Sequence, residues 1–474
     1  MRIVRALRPT LRPVLLAALV ISAVGCGQAN MVKTLGRVRG YMLERNYDGA
    51  LATLRKAKKD GAFKEQDRVA FWMEEGMLLY LTRQYKAAAD VFEKCENRTK
   101  ELYTKSISKN IKAAFSSEAA TDYKGEAYER VLLNVFKAFA YLGMGKFDGA
   151  MVEARKINEK LQLYATNAKT KGRMTYNQDA FAHWLMGLLF EMDKQYDDAR
   201  IAYKKSWEVY TKEWSGNYGL QPPAFVAGDL YRAAMLSNST EEANAAQAAA
   251  GPAGAQSVAN FKAGMGEIIL FHLNGEGPSK TDYFVRCIFK TAAAFRCDGE
   301  PGGEFMRKTT ITVTPAGWTT VKIAFPQLIT HPPAHNKVFM TNGPARALTQ
   351  TMYPLNRIAR VTLRDKMGRI FKAAIIRTIT KVLTSKAAGA IGGGEKKALG
   401  FLLSKGSSAL FQALEEADKR AWTTLPARID VGRIWVKPGT HTVLLELDSG
   451  KQLQIPGVKV DAGKRQFIFY RTLP

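Results

Sequence analysis

The chain has 474 residues, of which 46% are hydrophobic and 24% are charged, a globular composition and not a disordered or collagen-like one. Lys and Arg number 70 against 43 Asp and Glu, so the formal net charge is +27. Five His and four Cys exclude a disulfide-dense scaffold and a protein with several zinc sites, and they disfavour His-rich catalysis. At this length we expect two or three domains with a sizeable core.

The N-terminal segment, residues 1–25, has the features of a signal peptide. Four arginines precede an apolar run from Val14 to Gly25, which is too short to span a bilayer as a helix. Small residues stand directly before Cys26, a pattern that resembles the bacterial lipobox, after which the Cys is acylated. Gly27 in place of Asp favours the outer membrane. We therefore predict a palmitate-type anchor at Cys26, mainly on the periplasmic face; the alternative is an ordinary secretory signal followed by a chance Cys.

The net charge of the mature chain indicates which surfaces and partners it is attracted to. Loss of residues 1–25 removes four Arg and no acidic residue, which lowers the net charge to +23. No later stretch offers about 18 consecutive apolar residues without a charge, so no transmembrane helix is predicted. A basic envelope protein is attracted to anionic envelope surfaces, and nucleic acid is not an expected partner of a secreted, lipid-anchored chain.

Residues 26–236 contain an internal repeat at helical spacing. A small residue is followed nine positions later by an aromatic residue and three positions after that by Ala. The four copies, the last of them weaker, are Gly76, Tyr85 and Ala88; Ala138, Phe147 and Ala150; Gly187, Tyr196 and Ala199; and Val38, Tyr47 and Ala50. We expect the small residue to let two antiparallel helices approach closely and the aromatic residue to fill the gap beside the turn.

This pattern resembles the tetratricopeptide (TPR) repeat. The aromatic residues lie 38, 62 and 49 residues apart instead of 34, so the resemblance implies TPR-like hairpins with longer helices and not a regular superhelix. Such hairpins bury their apolar faces against their neighbours and present a concave surface to another chain. We expect a groove for a protein partner, with the repeated aromatic residues and Cys95 in the core.

The remaining chain divides into four segments. Residues 237–262 are low in apolar bulk and predict a flexible linker. Residues 263–354 predict a β-rich segment, and residues 355–425 predict a basic helical hairpin. Residues 426–474 predict a four-stranded antiparallel meander of the small sandwich type. The predicted fold class is α+β and multidomain, with a TPR-like solenoid followed by a mixed C-terminal region.

The predicted hairpin consists of one helix from Asn356 to Lys386 and a second from Glu395 to Trp422. The first helix carries six basic residues that suit an anionic membrane surface, namely Arg364, Lys366, Arg369, Lys372, Arg377 and Lys381. The alternative is a hairpin that packs on the β domain.

Cys287 and Cys297 are ten residues apart on predicted neighbouring strands. They either form a disulfide, as an oxidising compartment allows, or remain as two buried thiols. His331 and His335 have a metal-like spacing, but the two prolines between them forbid a helix. The segment from Gly392 to Lys397 lacks the spacing of a phosphate-binding loop. No catalytic residue, metal or cofactor is predicted.

Three stretches carry a wider resemblance: Tyr123 to Lys156, Gly266 to Lys280 and Glu415 to Ile429. They resemble the bacterial TPR-containing outer-membrane lipoproteins. That family has no established catalytic residues, and its members tend to be encoded near other envelope lipoproteins, including relatives of activators of penicillin-binding proteins. The resemblance implies a role in cell-wall or surface assembly.

The sequence thus predicts a non-enzymatic, lipid-anchored envelope adaptor whose TPR-like groove binds a protein partner, with another lipoprotein as one candidate. The alternative function is a membrane- or glycan-interacting component that acts through the basic hairpin.

Overall fold

The computed structural model describes residues 28–108, 118–171, 175–289, 295–302, 305–308, 319–390 and 417–474. The predicted signal peptide, Cys26 and the predicted strand from Thr309 to Val313 lie outside these residues. In the described residues, a stack of helical hairpins is followed by a β region. This arrangement confirms the predicted α+β fold class.

The N-terminal half is a series of TPR-like helical hairpins, formed by α1 with α2, α3 with α4, α5 with α6, α7 with α8, and α10 with α11. The helices are α1 (28–43), α2 (Tyr47–Lys59), α3 (Arg68–Leu81), α4 (Tyr85–Ser108), α5 (Ala127–Gly143), α6 (Phe147–Lys171), α7 (Ala180–Met192), α8 (Tyr196–Val209), α9 (Ser215–Tyr218), α10 (Ala224–Leu236) and α11 (Thr240–Lys262). One π-helical turn, Tyr210–Trp214, joins α8 to α9.

The turns of the five described hairpins share one conformation. Each contains a residue with left-handed backbone, namely Arg45, Arg83, Gly145, Lys194 and Asn238, with φ between 58° and 69°. The next N–H donates to the carbonyl five residues earlier, for example Gln84 N to Leu79 O at 2.9 Å. This is the Schellman arrangement, which satisfies the carbonyls that a helix end leaves free. The sequence pattern predicted four hairpins. The turn at Asn238, between α10 and α11, belongs to a fifth hairpin that the pattern did not predict.

Small residues allow close helix approach, but their aromatic partners differ from the prediction. A Cβ atom at Gly187 would lie 2.5 Å from the ring of Tyr203, which is seven residues beyond the predicted partner, Tyr196. Tyr85, at the start of α4, packs beside its own turn, with its ring 5.5 Å from Tyr80 of α3. The same ring also reaches Gly143 at the end of α5, a contact with the next hairpin that the repeat pattern did not predict.

The predicted flexible linker is also wrong. Residues 237–262 contain α11, and its Ala246 is 6% exposed. A Cβ atom at either Gly228 of α10 or Gly254 of α11 would lie 3.4 Å from the Cα of the other. Gly251, with φ 57°, kinks α11 before its proline. The small residues that suggested a linker instead let α10 and α11 pack closely.

The β region interrupts its strands with one long helix, α12 (Leu355–Ala390). The strands are β1 (Gly266–Asn274), β2 (Ser279–Phe289), β3 (Phe295–Cys297), β4 (Gly299–Gly302), β5 (Phe305–Lys308), β6 (Thr319–Ile329), β7 (Val338–Asn342), β8 (Ala345–Leu348), β9 (Gln350–Tyr353), β10 (Arg428–Val436), β11 (Gly439–Leu447), β12 (Gln452–Val460) and β13 (Arg465–Thr472).

Two four-stranded sheets pack on each other as a sandwich. Sheet 1 has the strand order β13-β1-β10-β9, with β1 parallel to β13 and antiparallel to β10. Sheet 2 has the order β12-β11-β7-β8. Ile268 and Leu270 of sheet 1 share an apolar core with Met340, Val443 and other residues of sheet 2.

The predicted C-terminal meander is therefore wrong in topology, although its four strands exist as β10 to β13. These strands are distributed over both sheets, and β10 pairs with β1 and β9 instead of β11. The predicted segments 263–354 and 426–474 form one β unit. Chain-order proximity failed as a guide because β1 takes the central place beside β10 and β13.

A third sheet, β3-β2-β6, packs against α12 through side chains that include Val285, Phe325 and Ile375. Cys287 and Cys297 are joined there by a disulfide. The first predicted basic helix corresponds to α12. The second is wrong where it is described, because residues 417–422 are not helical, and its residues 395–416 lie outside the described ranges. None of the described helices is both long enough and apolar enough to cross a membrane.

Gly187→Ala is expected to destabilise the fold by about 1–3 kcal/mol, because the added methyl group collides with the buried Tyr203 ring. Gly40→Ala in α1 is the matched control, since a Cβ atom there meets nothing within 4 Å and Ala favours a helix by up to about 1 kcal/mol. Chemical denaturation of both variants measures the difference. Equal midpoints would contradict close packing of α7 on α8.

Candidate interaction sites: the closed inner face and an edge groove

The inner face of the helical stack packs on sheet 1 of the same chain. The ring of Phe139 in α5 lies 4.6 Å from Phe271 of β1 and 4.8 Å from Phe469 of β13, centroid to centroid. Trp184 of α7 lies 6.1 Å from Phe271. Phe139, Trp184 and Phe271 are fully buried. Within the described ranges, the inner face that was predicted to be an open groove is closed, because the chain's own sheet covers it.

A short non-helical segment with a turn at Thr423 and Thr424 completes the closure. We call residues 417–427, which precede β10, the latch segment. Its Trp422 is 1% exposed and lies between α4 and α5, with its ring 5.6 Å from Phe92 and 5.8 Å from Phe136. Burial of a side chain of this size contributes several kcal/mol to the free energy of folding. The latch segment is therefore an integral part of the helical core.

Glu74 of α3 holds the latch segment by four hydrogen bonds. Thr423 donates its N–H and its hydroxyl to Oε1, both at 2.7 Å, and Thr424 donates in the same way to Oε2 at 3.0 and 2.6 Å. Burial raises the pKa of Glu74 to about 7, while these hydrogen bonds act to lower it. The carboxylate thus satisfies two backbone N–H groups that burial would otherwise leave without an acceptor.

Two further contacts fix the same segment. Glu129 of α5 accepts a hydrogen bond from the backbone N–H of Trp422 at 2.8 Å. The Arg420 guanidinium donates to the carbonyl of Thr121 at 2.8 Å and stacks over the Tyr123 ring at 5.1 Å. The latch segment is therefore bound along its length.

A buried cluster of arginines and carboxylates joins the helices to sheet 1. Its members are Glu191 of α7, Asp229 and Arg232 of α10, Glu267 of β1, Arg433 of β10 and Arg465 of β13. Three positive and three negative charges balance, and each side chain is at most 8% exposed. Because a buried charge that loses its partner costs about 3–5 kcal/mol, this cluster opposes separation of the two layers.

Three carboxylates in the helical stack lie close enough to share a metal ion: Glu93, Glu96 and Glu153. The fully buried ammonium of Lys137 lies among them, 2.8 Å from Glu96 and 3.0 Å from Glu153, and also contacts Glu93. These carboxylates raise the pKa of Lys137 despite its burial. Lys156 and Lys160 pair with the same carboxylates, so three positive charges balance three negative ones and the cluster carries no metal assignment.

The six basic residues predicted for an anionic surface do not form one exposed face. Arg364, Arg369 and Lys372 are exposed, and Arg377 is half-buried. Lys366 binds Glu126 of α5 instead, together with Lys280 of β2 at 2.9 Å. The side chain of Lys381 lies outside the described part of the chain.

An open groove of about 910 Å³ runs between the hairpin turns and two sheet edges. We call it the edge groove. On one side are the turns that carry Arg83, Gly145 and Met192, and on the other are residues of β12 (454–458) and β13 (465–470). β12 and β13 are the outermost strands of sheets 2 and 1.

The free edge of β13 faces this groove with backbone groups that pair with no strand, although the carbonyl of Phe467 accepts a hydrogen bond from the Gln466 side chain at 3.4 Å. The carbonyls of Lys464 and Thr472 accept hydrogen bonds on the β1 side. Because successive residues of a strand point their backbone groups to opposite sides, the N–H and C=O groups of Arg465, Phe467 and Phe469 point away from β1. The neighbouring β12 contains Pro456, which blocks pairing along that edge. β13 is therefore the edge that is open to an added strand.

Sequence reasoning missed the residues that close the inner face. Glu74 and Glu129 are fully buried within otherwise apolar helices, and that mismatch was a visible signal of a buried polar contact. Trp422 ends the predicted second helix of the basic hairpin, whereas in the structure it lies in a non-helical segment. Nothing in the sequence indicated the edge groove, since it arises where distant turns and strands meet.

Solved structures with limited similarity to this chain include TPR-like repeat proteins. The apo form of RapI has a TM-score of 0.33 and 12% identity over 46% of this chain and 52% of its own, so this chain spans about half the length of RapI. A putative kinesin light chain with nearly identical TPR-like repeats, from Podosopora anserina, has a TM-score of 0.31 and 12% identity over 49% of this chain and 96% of its own. BtubC from P. vanneervenii has a TM-score of 0.28 and 16% identity, over 53% and 84%.

These similarities carry no argument about function. No family model matches the chain, and no curated protein matches it.

Glu74→Gln is expected to loosen the latch segment and to lower the free energy of unfolding by about 1–3 kcal/mol, because an amide group replaces one acceptor oxygen with a donor. Hydrogen exchange of the Thr423 and Thr424 amides should become faster. Glu75→Gln on the same helix is the matched control; its partner Arg55 is half exposed, so the loss should stay below about 1 kcal/mol. Equal effects of the two changes would show that Glu74 does not hold the segment.

Proposed function

We propose that this chain is a non-enzymatic, lipid-anchored adaptor of the bacterial outer membrane that binds an extended segment of a protein partner in the edge groove. The observation that carries the proposal is the unpaired edge of β13 at the wall of a groove of about 910 Å³. A protein strand that adds to β13 satisfies backbone groups that otherwise depend on water.

Affinity and specificity come from different parts of this groove. The outward N–H and C=O groups of Phe467 and Phe469 supply main-chain hydrogen bonds that any sequence can use. The apolar surfaces of Phe147 and Met192, opposite β13, contact the side chains of the partner segment. An apolar residue at alternate positions of the partner therefore fits the groove.

The basic residues at the edge groove further restrict which partner segments can bind. Arg83 and Lys459 lie at the groove, and no carboxylate lies among its lining residues. Arg465 is already neutralised by Glu191 and Glu267. The partner segment should therefore carry acidic side chains toward Arg83 and Lys459, which also suits a mature chain with a net charge of +23.

The absence of catalysis is part of the proposal. The buried carboxylates that stand out along the inner face have protein partners: Glu74 binds the two threonines of the latch segment, and Glu129 binds Trp422. Groups that are fully occupied by structural hydrogen bonds are poor general acids or bases, because a substrate has no access to them. This supports an adaptor over an enzyme.

The envelope location rests on the sequence and is supported by one structural feature. The pattern before Cys26 predicts acylation, and the disulfide between Cys287 and Cys297 suits an oxidising compartment such as the periplasm. A role in cell-wall or surface assembly, with another lipoprotein as a candidate partner, remains the resemblance-based part of the proposal.

The groove can be tested by site-specific photocrosslinking in cells. A photoreactive amino acid in place of Gln466, an exposed residue of β13, should yield one protein adduct that the same label in place of Ile201, an exposed residue of α8, does not. Combining Arg83→Glu with Lys459→Glu should weaken binding of that protein by about tenfold or more. Lys56→Glu with Lys262→Glu, at exposed sites outside the groove, is the charge-matched control.

Two results would overturn this assignment. An adduct pattern that is the same at both label sites would remove the groove as the binding surface. Recovery of lipid or glycan alone, lost when Arg369 and Lys372 are replaced, would favour the alternative function through α12.

The anchor has its own test. Cells fed labelled palmitate should incorporate the label into the wild-type protein and not into Cys26→Ser, and the variant should leave the membrane fraction. Labelling that survives the substitution would disprove acylation at Cys26.

A further inference from the structure

A pocket of about 320 Å³ lies at the edge of the sandwich opposite the edge groove. Residues of α10 and α11 line it together with residues of β8, β9 and β10. β8 and β9 are the outermost strands of sheets 2 and 1, at the ends remote from β12 and β13. We call it the β9 pocket. Its volume is at the lower end of the roughly 300–1,000 Å³ that is usual for small-molecule sites.

Two aromatic side chains that line the β9 pocket are only half-buried, namely Trp435 of β10 and Phe225 of α10. The guanidinium of the fully buried Arg232 lies 6.0 Å from the centre of the Trp435 ring. That of Arg433 lies 5.1 Å from the centre of the Phe225 ring. These contacts hold the two rings in place, so their exposed parts offer a rigid apolar surface to a ligand.

Neutral hydrogen-bonding groups accompany these rings in the lining of the pocket. The Gln350 side-chain oxygen accepts from the Ala224 N–H at 2.7 Å, and that of Asn260 accepts from the Gln256 amide at 2.8 Å. In the described part of the chain, the Gln350 Nε2, the Asn260 Nδ2 and the Trp435 Nε1 have no hydrogen-bond partner, and none of the three is shielded from solvent. A ligand can therefore reach all three donors.

The charges at the β9 pocket are already paired. Among its described lining residues, the charged ones are Asp229, Glu267 and Arg433, which belong to the buried cluster of arginines and carboxylates. Arg433 binds both carboxylates, and it lies 2.6 Å from Glu267. A charged ligand would therefore leave water without gaining a free counter-charge, which is costly. The pocket favours an uncharged ligand.

An uncharged pyranose sugar matches this combination of groups. One face of its ring consists of C–H groups with a small positive charge, which pack on the electron-rich face of an aromatic ring. The hydroxyl groups around its rim accept hydrogen bonds from amide and indole N–H donors. A purely apolar ligand would displace water from these donors without supplying an acceptor, at a cost of about 1–3 kcal/mol each.

We propose that the β9 pocket binds one uncharged pyranose ring of a glycan, with the C–H face of the sugar on Trp435 and its hydroxyl groups on the amides of Gln350 and Asn260. This site is separate from the edge groove and does not rest on the proposed function. The chain can thus hold a glycan and a protein segment at opposite edges of one sandwich.

Saturation-transfer NMR of the full chain tests the proposal, with cellotriose and N,N′,N″-triacetylchitotriose as probes. At least one trisaccharide should bind, with the strongest saturation on ring C–H protons, and the comparison shows whether acetamido groups contribute. Asn260→Ala should weaken binding about fivefold, since it removes one hydrogen bond.

A pair of substitutions on α11 provides the matched control. Ala253 and Ala255 are both exposed, but only Ala253 lines the β9 pocket. Ala253→Phe should therefore fill part of the pocket and weaken sugar binding at least tenfold, whereas Ala255→Phe should bind as the wild type does. Combining Arg83→Glu with Lys459→Glu should leave sugar binding unchanged, which separates this test from that of the edge groove.

The proposal is overturned if neither trisaccharide binds, or if Ala253→Phe binds as well as Ala255→Phe. It is also overturned if trigalacturonate, a charged counterpart, binds more tightly than both neutral sugars. Loss of binding when Arg369 and Lys372 are replaced would place the glycan on α12 instead of the β9 pocket.

Discussion

The burial of the inner helices α3, α5 and α7 against sheet 1 is the constraint on which the rest of this structure depends. A TPR-like stack leaves one apolar face without a neighbour, and here Phe271 and Phe469 cover it from the same chain. The arginine–carboxylate cluster around Glu191 and Glu267 then makes separation of the two layers costly. Helices and sandwich are therefore parts of one folding unit and not independent modules.

This closure changes where a partner can bind. The latch segment fills part of the inner face, with Trp422 in the core and its neighbouring threonines on Glu74. Displacing it would expose Trp422 and leave Glu74 buried without its donors, which is expensive. Surfaces that the closure creates, such as the edge groove, need no such displacement. The binding function thus moves from the inner face to the boundary between turns and strands.

Local patterns in the sequence predicted local structure well. The repeat around Gly76 and Gly187 predicted helical hairpins, because the pattern requires only residues within one hairpin. The alternation from Arg428 to Val436 predicted β10 for the same reason. The linker prediction at 237–262 was wrong, since Ala and Gly are equally typical of mobile chain and of close helix contact; burial by α10 decided between them.

The sequence by itself determined the helical hairpins of the N-terminal half, the strands β10 to β13 and the two-part α+β organisation, and it predicts a lipid anchor at Cys26. Tertiary structure alone decided that β1 lies between β10 and β13, that α10 buries α11, and that the latch segment fills the inner face. The physical reason is the distance along the chain over which each kind of interaction acts. Helical and strand periodicity arises from neighbours in the chain, whereas strand order and burial of charge depend on contacts between residues that are hundreds of positions apart.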